Sequence, residues 1–165
     1  MGDQKRFGPP RVADERATLT GFLQRQRDTL AMACAGLTAE QLRERALRPS
    51  GLSLLGLLRH MADVERTWFR NVLNGENSNA HWPRSDGGAF DVDTADPAEA
   101  FEIWHEECAR SRDIVDNAES LDVTGRYRDD VFSLRYILTH MIEEYARHNG
   151  QADLLREHID GTAER

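Results

Sequence analysis

A repeating interval in the last third of the chain places the strongest constraint on the fold. From Leu134 onward, core-type side chains recur at alternating spacings of four and three residues: Leu134, Leu138, Met141, Tyr145, His148, Ala152, Leu155 and Ile159. This spacing puts every member on one face of an α-helix, as in a helix packed within a bundle. Asn149 and Gly150 would weaken a helix, but the interval continues through them. We therefore predict one long helix that begins near Phe132 or Ser133.

Three earlier segments predict helices by the same criterion. They cover about 12–35, 53–73 and 96–119. The third begins with a strong signal, because Asp96 is a preferred capping residue, Pro97 suits the first helical position and Glu99 completes a capping box. Four amphipathic helices without a convincing strand predict an all-α protein, specifically a four-helix bundle.

The connection between the second and third helices is unusually long. Residues 74–95 are rich in Asn, Gly, Ser and Asp and show no helical period. Neighbouring antiparallel helices are usually joined by about 2–8 residues. The long connection therefore indicates a crossover with parallel second and third helices, the up-down-down-up arrangement. The segment His81-Trp82-Pro83 within it would either cover a site as a lid or anchor the loop through its tryptophan.

Length and composition indicate one globular domain. The chain has 165 residues, 39% hydrophobic and 30% charged, which is ordinary for such a domain. We divide it into an N-terminal tail (1–10), a bundle domain (11–161) and a C-terminal tail (162–165). No apolar run approaches the roughly 18 residues that span a bilayer, and no secretory signal opens the chain. We expect a cytoplasmic protein with no membrane partner.

Charge and cysteine usage exclude two further classes of function. The formal net charge of −8 disfavours nucleic acid as a partner, because binding to phosphates draws on clustered Lys and Arg. Cys34 and Cys108 lie far apart and show no CxxC spacing, so they predict neither a disulfide framework nor a thiolate zinc site. We interpret both as small core residues.

The segment HMIEEYARH (140–148) contains three residue types that bind metals. His140, Glu144 and His148 follow one another at intervals of four, so neighbouring members lie one above the other on a helix. The two histidines stand roughly 12 Å apart along the axis, too far to share one ion. His148 occupies a core-facing position with Glu144 on its flank, whereas His140 is turned about 130° away and should face outward.

A third ligand is available on the second helix, where His60 lies one position from the apolar face. If the second and fourth helices are antiparallel, His60, His148 and Glu144 lie about 10, 16 and 22 Å from the same end, and His140 about 28 Å. This comparison favours His60, Glu144 and His148, a set that suits Zn²⁺, Ni²⁺ or Fe²⁺. The alternative is an ordinary pair between Glu144 and His148, with His60 as a core histidine.

Other residues give weaker signals. Asp63, three residues after His60, would either orient a metal ligand through a hydrogen bond or be a solvated carboxylate. Trp68 and Tyr145 are interpreted as core rather than as a substrate platform, and Arg147 would bind an anion or pair with Glu143. Two further histidines are expected at the surface: His105 and His158.

Two segments of the chain resemble the signature regions of the DinB-like superfamily, in an actinobacterial-type branch. They are SLLGLLRHMADVERTWF (53–69) and FSLRYILTHMIEEYARHNGQADLLREHIDG (132–161), and the resemblance extends over about 11–161. It implies an up-down-down-up four-helix bundle, often dimeric, with a divalent metal bound by one histidine of the second helix and two residues of the fourth. The order Glu144 then His148 is similar to the pattern in mycothiol-dependent maleylpyruvate isomerase.

The resemblance also implies a thiol-dependent metalloenzyme. Several of its members use a low-molecular-weight thiol such as mycothiol, and a metal, zinc first among the candidates, would lower the pKa of that thiol. We therefore expect an S-transferase or isomerase, a homodimer, whose partners are a small-molecule thiol and an electrophile. Two alternatives remain: a metal-assisted hydrolase and a non-catalytic, metal-binding dimeric stress or binding protein. No catalytic residue beyond the metal ligands is predicted.

Overall fold

The computed structural model of the protein describes residues 8–162, which are mainly helical. Five α-helices follow one another: α1 Glu15–Cys34, α2 Ala39–Arg43, α3 Leu54–Glu65, α4 Pro97–Asp116 and α5 Leu134–Asp160. Helix α3 continues directly into a π-helix, Arg66–Leu73, called here the π segment, and a short 3₁₀ turn covers Arg84–Asp86. The four predicted helices are confirmed, and α5 runs through Gly150 without a break. The predicted N-terminal tail lies mostly outside the described residues.

Side-chain caps fix where the long helices begin. Asp96 accepts a hydrogen bond from the Ala98 amide ahead of Pro97, as the sequence predicts. Ser53 and Ser133 cap α3 and α5 in the same way. Each such cap stabilises a helix start by about 1 kcal/mol. The caps of α3 and α5 therefore help to set the register of the helices that carry His60, Glu144 and His148.

The prediction that the chain has no strand is wrong for one short segment. Strands β1 Thr124–Tyr127 and β2 Asp130–Ser133 pair as an antiparallel hairpin, with Gly125 opposite Phe132. Gly125 packs so closely on the π segment that a β-carbon there would overlap the backbone of Val72. The hairpin is stabilised by this docking rather than by alternation of apolar side chains, and a short polar strand of this kind gives little signal in the sequence.

The helices pack in pairs around one core. Helix α1 lies along α5, α3 lies along α4, and α3 also contacts α5. Leu30, Leu58 and Met141 are fully buried within this core. Cys34 and Cys108 are free and buried, which confirms their interpretation as core residues. None of the helices within 8–162 combines the length and hydropathy that a bilayer crossing needs.

A polar network lies inside this core. Arg27 donates two hydrogen bonds to the carboxylate of Glu65, at 2.7 and 2.8 Å, and both side chains are almost fully buried. Tyr145, predicted as core and fully buried, donates to Glu65 at 2.7 Å and accepts a bond from Trp104. Burial opposes the charge of Arg27, but the attraction of Glu65 outweighs it and raises the pKa of the guanidinium above its usual value. The network therefore joins the guanidinium of Arg27 to the carboxylate of Glu65 inside the core.

Candidate metal site

Helices α3 and α5 bring the three predicted ligands together. His60, Glu144 and His148 each offer one ligand atom, and these atoms all lie within 4.8 Å of one another. The rings of His60 and His148 meet edge to face with centroids 4.7 Å apart, and Glu144 Oε2 lies 3.4 Å from His148 Nε2. Ligand atoms around a tetrahedral ion with bonds of about 2 Å lie roughly 3.4 Å apart, so small side-chain rotations would suffice for coordination. We call these three residues the triad.

The surroundings of His60 and His148 affect how each ring could bind a metal. Burial, reinforced by the neighbouring His148, lowers the pKa of His60, which favours the unprotonated ring that can bind a metal. The side-chain oxygen of Gln151 lies 2.8 Å from His148 Nδ1. Because an amide oxygen only accepts hydrogen bonds, the proton of neutral His148 is on Nδ1. Nε2, the nitrogen that faces Glu144, then carries the free lone pair.

His140 is not a member of the triad, as predicted, but it does not face solvent. Its ring packs 4.5 Å from that of Trp68 and stacks almost parallel to Tyr136, and only 20% of its side chain is exposed. Its Nε2 is 3.7 Å from Glu144 Oε1, longer than a hydrogen bond. The prediction of an outward-facing His140 is therefore wrong, because Trp68 of the π segment and Tyr136 cover that side of α5.

The connection 74–95 forms a wall of a cleft beside His60. The cleft has a volume of about 580 Å³, and Trp82, Pro83 and Phe90 line it together with His60. The Phe90 ring lies 5.5 Å from that of His60, and a β-carbon on Gly56 would meet it at 2.7 Å. Gly56 thus allows the close approach of Phe90. The segment His81-Trp82-Pro83 both anchors the connection and borders the site.

Asp63 has a role that neither sequence interpretation anticipated. Its Oδ1 accepts a hydrogen bond from the His81 amide at 2.7 Å and its Oδ2 accepts one from the Trp82 amide at 3.3 Å. The ring of His81 is bonded in turn to Glu107 at 2.8 Å. Asp63 therefore anchors the connection, and it is neither a solvated carboxylate nor a residue that orients a metal ligand.

The remaining predicted residues lie at the surface, and two residues near the triad were not predicted from the sequence. His105 and His158 are exposed, as predicted, and so is Arg147. Gln151 was missed, although its position three residues after His148 on a helix was a usable signal. Phe90 was also missed, because it lies in a segment without a period and nothing in the sequence places it near His60.

The fold and the triad define a helical protein with a candidate site for a divalent metal between two helices. The family described as Mycothiol-S-transferase matches residues 18–161, and the chain belongs to this family, which is DinB-like as the sequence resemblance indicated.

Comparison with solved structures supports the fold. A crystal structure from Enterococcus faecalis, described as "the conserved protein of locus", has a similar fold. The TM-score is 0.66, and the match covers 92% of this chain and 100% of that chain. Sequence identity is 16%, so this likeness concerns the fold alone. No curated protein matches the chain with significance.

Proposed function

We propose that the protein is a divalent-metal-dependent S-transferase that uses mycothiol or a closely similar thiol. The observation that carries the proposal is the convergence of His60, Glu144 and His148, whose ligand atoms lie within 4.8 Å of one another. Membership of the Mycothiol-S-transferase family supports the choice of thiol and of reaction. Isomerisation of a thiol adduct is the related reaction that the same site would serve.

The triad would hold the metal, with zinc as our first choice. Two imidazoles and one carboxylate suit zinc, and three protein ligands leave a position open for a thiol. When bound, the ion supplies the positive charge that converts a coordinated thiol into the nucleophilic thiolate. Gln151 keeps the proton of His148 on Nδ1, so that Nε2 remains available to the metal.

The atoms and electrons of the proposed transfer are all accounted for. The thiol proton passes to solvent, the sulfur lone pair forms a bond to the electrophilic carbon, and the leaving group departs with the electron pair of its broken bond. This step needs no oxidant, reductant or further cofactor. The residues of the chain bind and orient the two reactants, which is where intramolecular reactions gain most of their rate.

The overall arrangement of the protein is part of the proposal. Packing of α1 on α5 and of α3 on α4 supports an up-down-down-up four-helix bundle. The family resemblance supports a homodimer, and use of a low-molecular-weight thiol supports a cytoplasmic location. Size-exclusion chromatography with light scattering tests the dimer directly.

Metal-dependent conjugation is the experiment that tests the function. Mycothiol and chlorodinitrobenzene are supplied to zinc-loaded protein, to chelator-treated protein and to chelator-treated protein with zinc restored. We expect turnover in the first and third samples and its loss in the second. Zinc-loaded protein that gives no turnover with several thiols would contradict the proposal and favour a non-catalytic metal-binding protein. Metal-dependent cleavage of esters or amides without any thiol would favour a hydrolase.

A further inference from the structure

The wall of the cleft is attached to the same helix turn that carries His60. Asp63 lies three residues after His60, so the two side chains are on neighbouring parts of one helix surface. The carboxylate of Asp63 uses one oxygen for the amide of His81 and the other for the amide of Trp82. The backbone of Trp82 is therefore tied through the side chain of Asp63 to the helix turn that carries His60.

Other bonds fix the connection on either side of this point. Before it, Asn71 exchanges two hydrogen bonds with the backbone of Ser78, each of 2.8 Å, and Arg66 donates to the Asn79 carbonyl. After it, Arg59 donates to the carbonyl of Asp91. These contacts restrain the ends of the wall, whereas the amides of His81 and Trp82 are held by Asp63.

The side chains of the same dipeptide are also engaged. The ring of His81 is bonded to Glu107, whose carboxylate also receives Arg66 and Arg70. The guanidinium of Arg59 lies 4.6 Å from the centre of the Trp82 ring. Stacking of this kind stabilises an aromatic ring in one orientation. Trp82 is thus held at its backbone by Asp63 and at its ring by Arg59.

The surfaces that bound the cleft indicate what it would receive. Trp82 and Phe90 offer aromatic surfaces, the charged side chains of Asp63 and Arg84 also line the cleft, and His60, which contacts His148, borders it. Gly88 lies on the lining without a side chain to fill the space. Aromatic side chains bind flat, apolar ligands by offset stacking or edge contact. A planar electrophile in the cleft would lie beside His60, one of the three residues that would hold the metal.

We propose that Asp63 is a positioning residue for the reaction and that the cleft between Trp82 and His60 receives the electrophilic substrate, a planar aromatic molecule. This inference rests on the proposed function, because it presumes that the triad presents a thiolate. With chlorodinitrobenzene as the probe, the new C–S bond forms at the ring carbon that bears chlorine. The C–Cl bond then breaks, chloride leaves with the electron pair, and the thiol proton has gone to solvent.

Amide exchange tests the anchoring role without reference to activity. Asp63→Ala removes both acceptors, whereas Asp63→Asn keeps one oxygen and therefore one bond. We expect hydrogen exchange at His81 and Trp82 to rise about 10- to 100-fold in Asp63→Ala, with a smaller rise in Asp63→Asn. Asp113→Asn, at an exposed position on α4, is the control and should leave both amides unchanged. Unchanged exchange in Asp63→Ala would overturn the anchoring role.

Kinetics separate positioning from a merely structural effect. We expect the Asp63 variants to raise the KM for chlorodinitrobenzene about 10-fold or more, with kcat, the KM for mycothiol and bound zinc nearly unchanged. Loss of zinc, or equal changes in both KM values, would overturn the positioning role. If Asp63→Ala fails to fold by circular dichroism, Asp63→Asn provides the comparison.

A binding measurement keeps the inference distinct from the proposed function. In the absence of thiol, chlorodinitrobenzene should shift the indole N–H resonance of Trp82 in the NMR spectrum, and Asp63→Asn should weaken this binding. A shift confined to the indoles of Trp68 or Trp104 would overturn the assignment of the cleft. Binding at Trp82 in protein that shows no turnover would retain the cleft while contradicting the S-transferase.

Discussion

His60 and His148, on different helices, meet edge to face with ring centroids 4.7 Å apart. Their approach depends on the register between α3 and α5, which is set by caps at Ser53 and Ser133 and by the packing of the core between them. The candidate metal site is therefore a property of the packed helices rather than of one segment. Substitutions at the site and substitutions in the core therefore both test this packing of α3 against α5.

Gln151 should tune metal affinity without binding the metal. Gln151→Ala removes the acceptor that holds the proton of His148 on Nδ1, so the ring is less well oriented. Loss of such an outer partner weakens metal binding about 10- to 100-fold. Competition with a chromogenic zinc chelator measures the change. Gln24→Ala on α1, which leaves His148 untouched, should retain wild-type affinity, and equal affinity in the two variants would contradict the role of Gln151.

The buried pair Arg27–Glu65 should show strong coupling. Glu65→Leu alone leaves the guanidinium of Arg27 buried without its partner, which costs about 3–5 kcal/mol in the free energy of unfolding. The double variant Arg27→Met with Glu65→Leu should recover much of this loss, because no unpaired charge remains. Urea denaturation of both variants measures the coupling. Additive losses in the double variant would show that the pair is not an energetic unit.

Glu107 should make the stability of the protein depend on pH in the acid range. Burial opposes its ionisation, but hydrogen bonds from His81 and Arg66 outweigh burial and lower the pKa of Glu107 below its ordinary value. A lowered folded-state pKa contributes stability that is present above the unfolded value and is lost as the pH falls through the folded one.

Urea denaturation between about pH 6 and about pH 3 measures this dependence. The unfolding free energy of the wild type should fall with decreasing pH below about 4.5, and that of Glu107→Gln should fall less steeply. Parallel slopes in the two proteins would contradict the assignment of the shift to Glu107.

Two glycines should respond oppositely to the same substitution. A β-carbon on Gly125 would overlap the backbone of Val72, so Gly125→Ala should displace the hairpin and destabilise the protein by about 1–3 kcal/mol. Gly150 lies within α5 and a β-carbon there meets nothing within 4 Å, so Gly150→Ala should stabilise by about 0.5–1 kcal/mol. Thermal unfolding compares them. Equal shifts of the melting temperature would contradict the close contact at Gly125.

The sequence predicted the long helices because helical periodicity is a local property, whereas the choice of His60 as the third ligand also required the assumption that the second and fourth helices are antiparallel. The interval from Leu134 to Leu155 placed Glu144 and His148 on adjoining parts of one face, and the cap at Asp96 marked the start of α4. The hairpin and the wall were not predictable in this way. They depend on contacts between distant segments, such as Gly125 with Val72 and Asp63 with His81, that leave no period in the sequence.

The buried pair of Arg27 and Glu65 was partly predictable from the sequence. Glu65 lies four residues after Met61 and Arg27 four after Leu23, both at core spacings, so two opposite charges at buried positions were a signal for an internal pair. The sequence interpretation instead placed Trp68 in the core, but this side chain is only half-buried. The π segment that begins at Arg66 changes which side chains point inward, and Phe69 and Val72 are buried there.

Zinc content per chain in matched histidine variants tests the central claim most directly. His148→Ala removes a triad member. His140→Ala removes a histidine that is two helical turns from His148 on α5, packs on Trp68 and is not a member of the triad. We expect His148→Ala to bind zinc about 100-fold more weakly or worse, and His140→Ala to retain wild-type stoichiometry and affinity. Loss of zinc in His140→Ala with full retention in His148→Ala would contradict both the triad and the register of α3 and α5 proposed here.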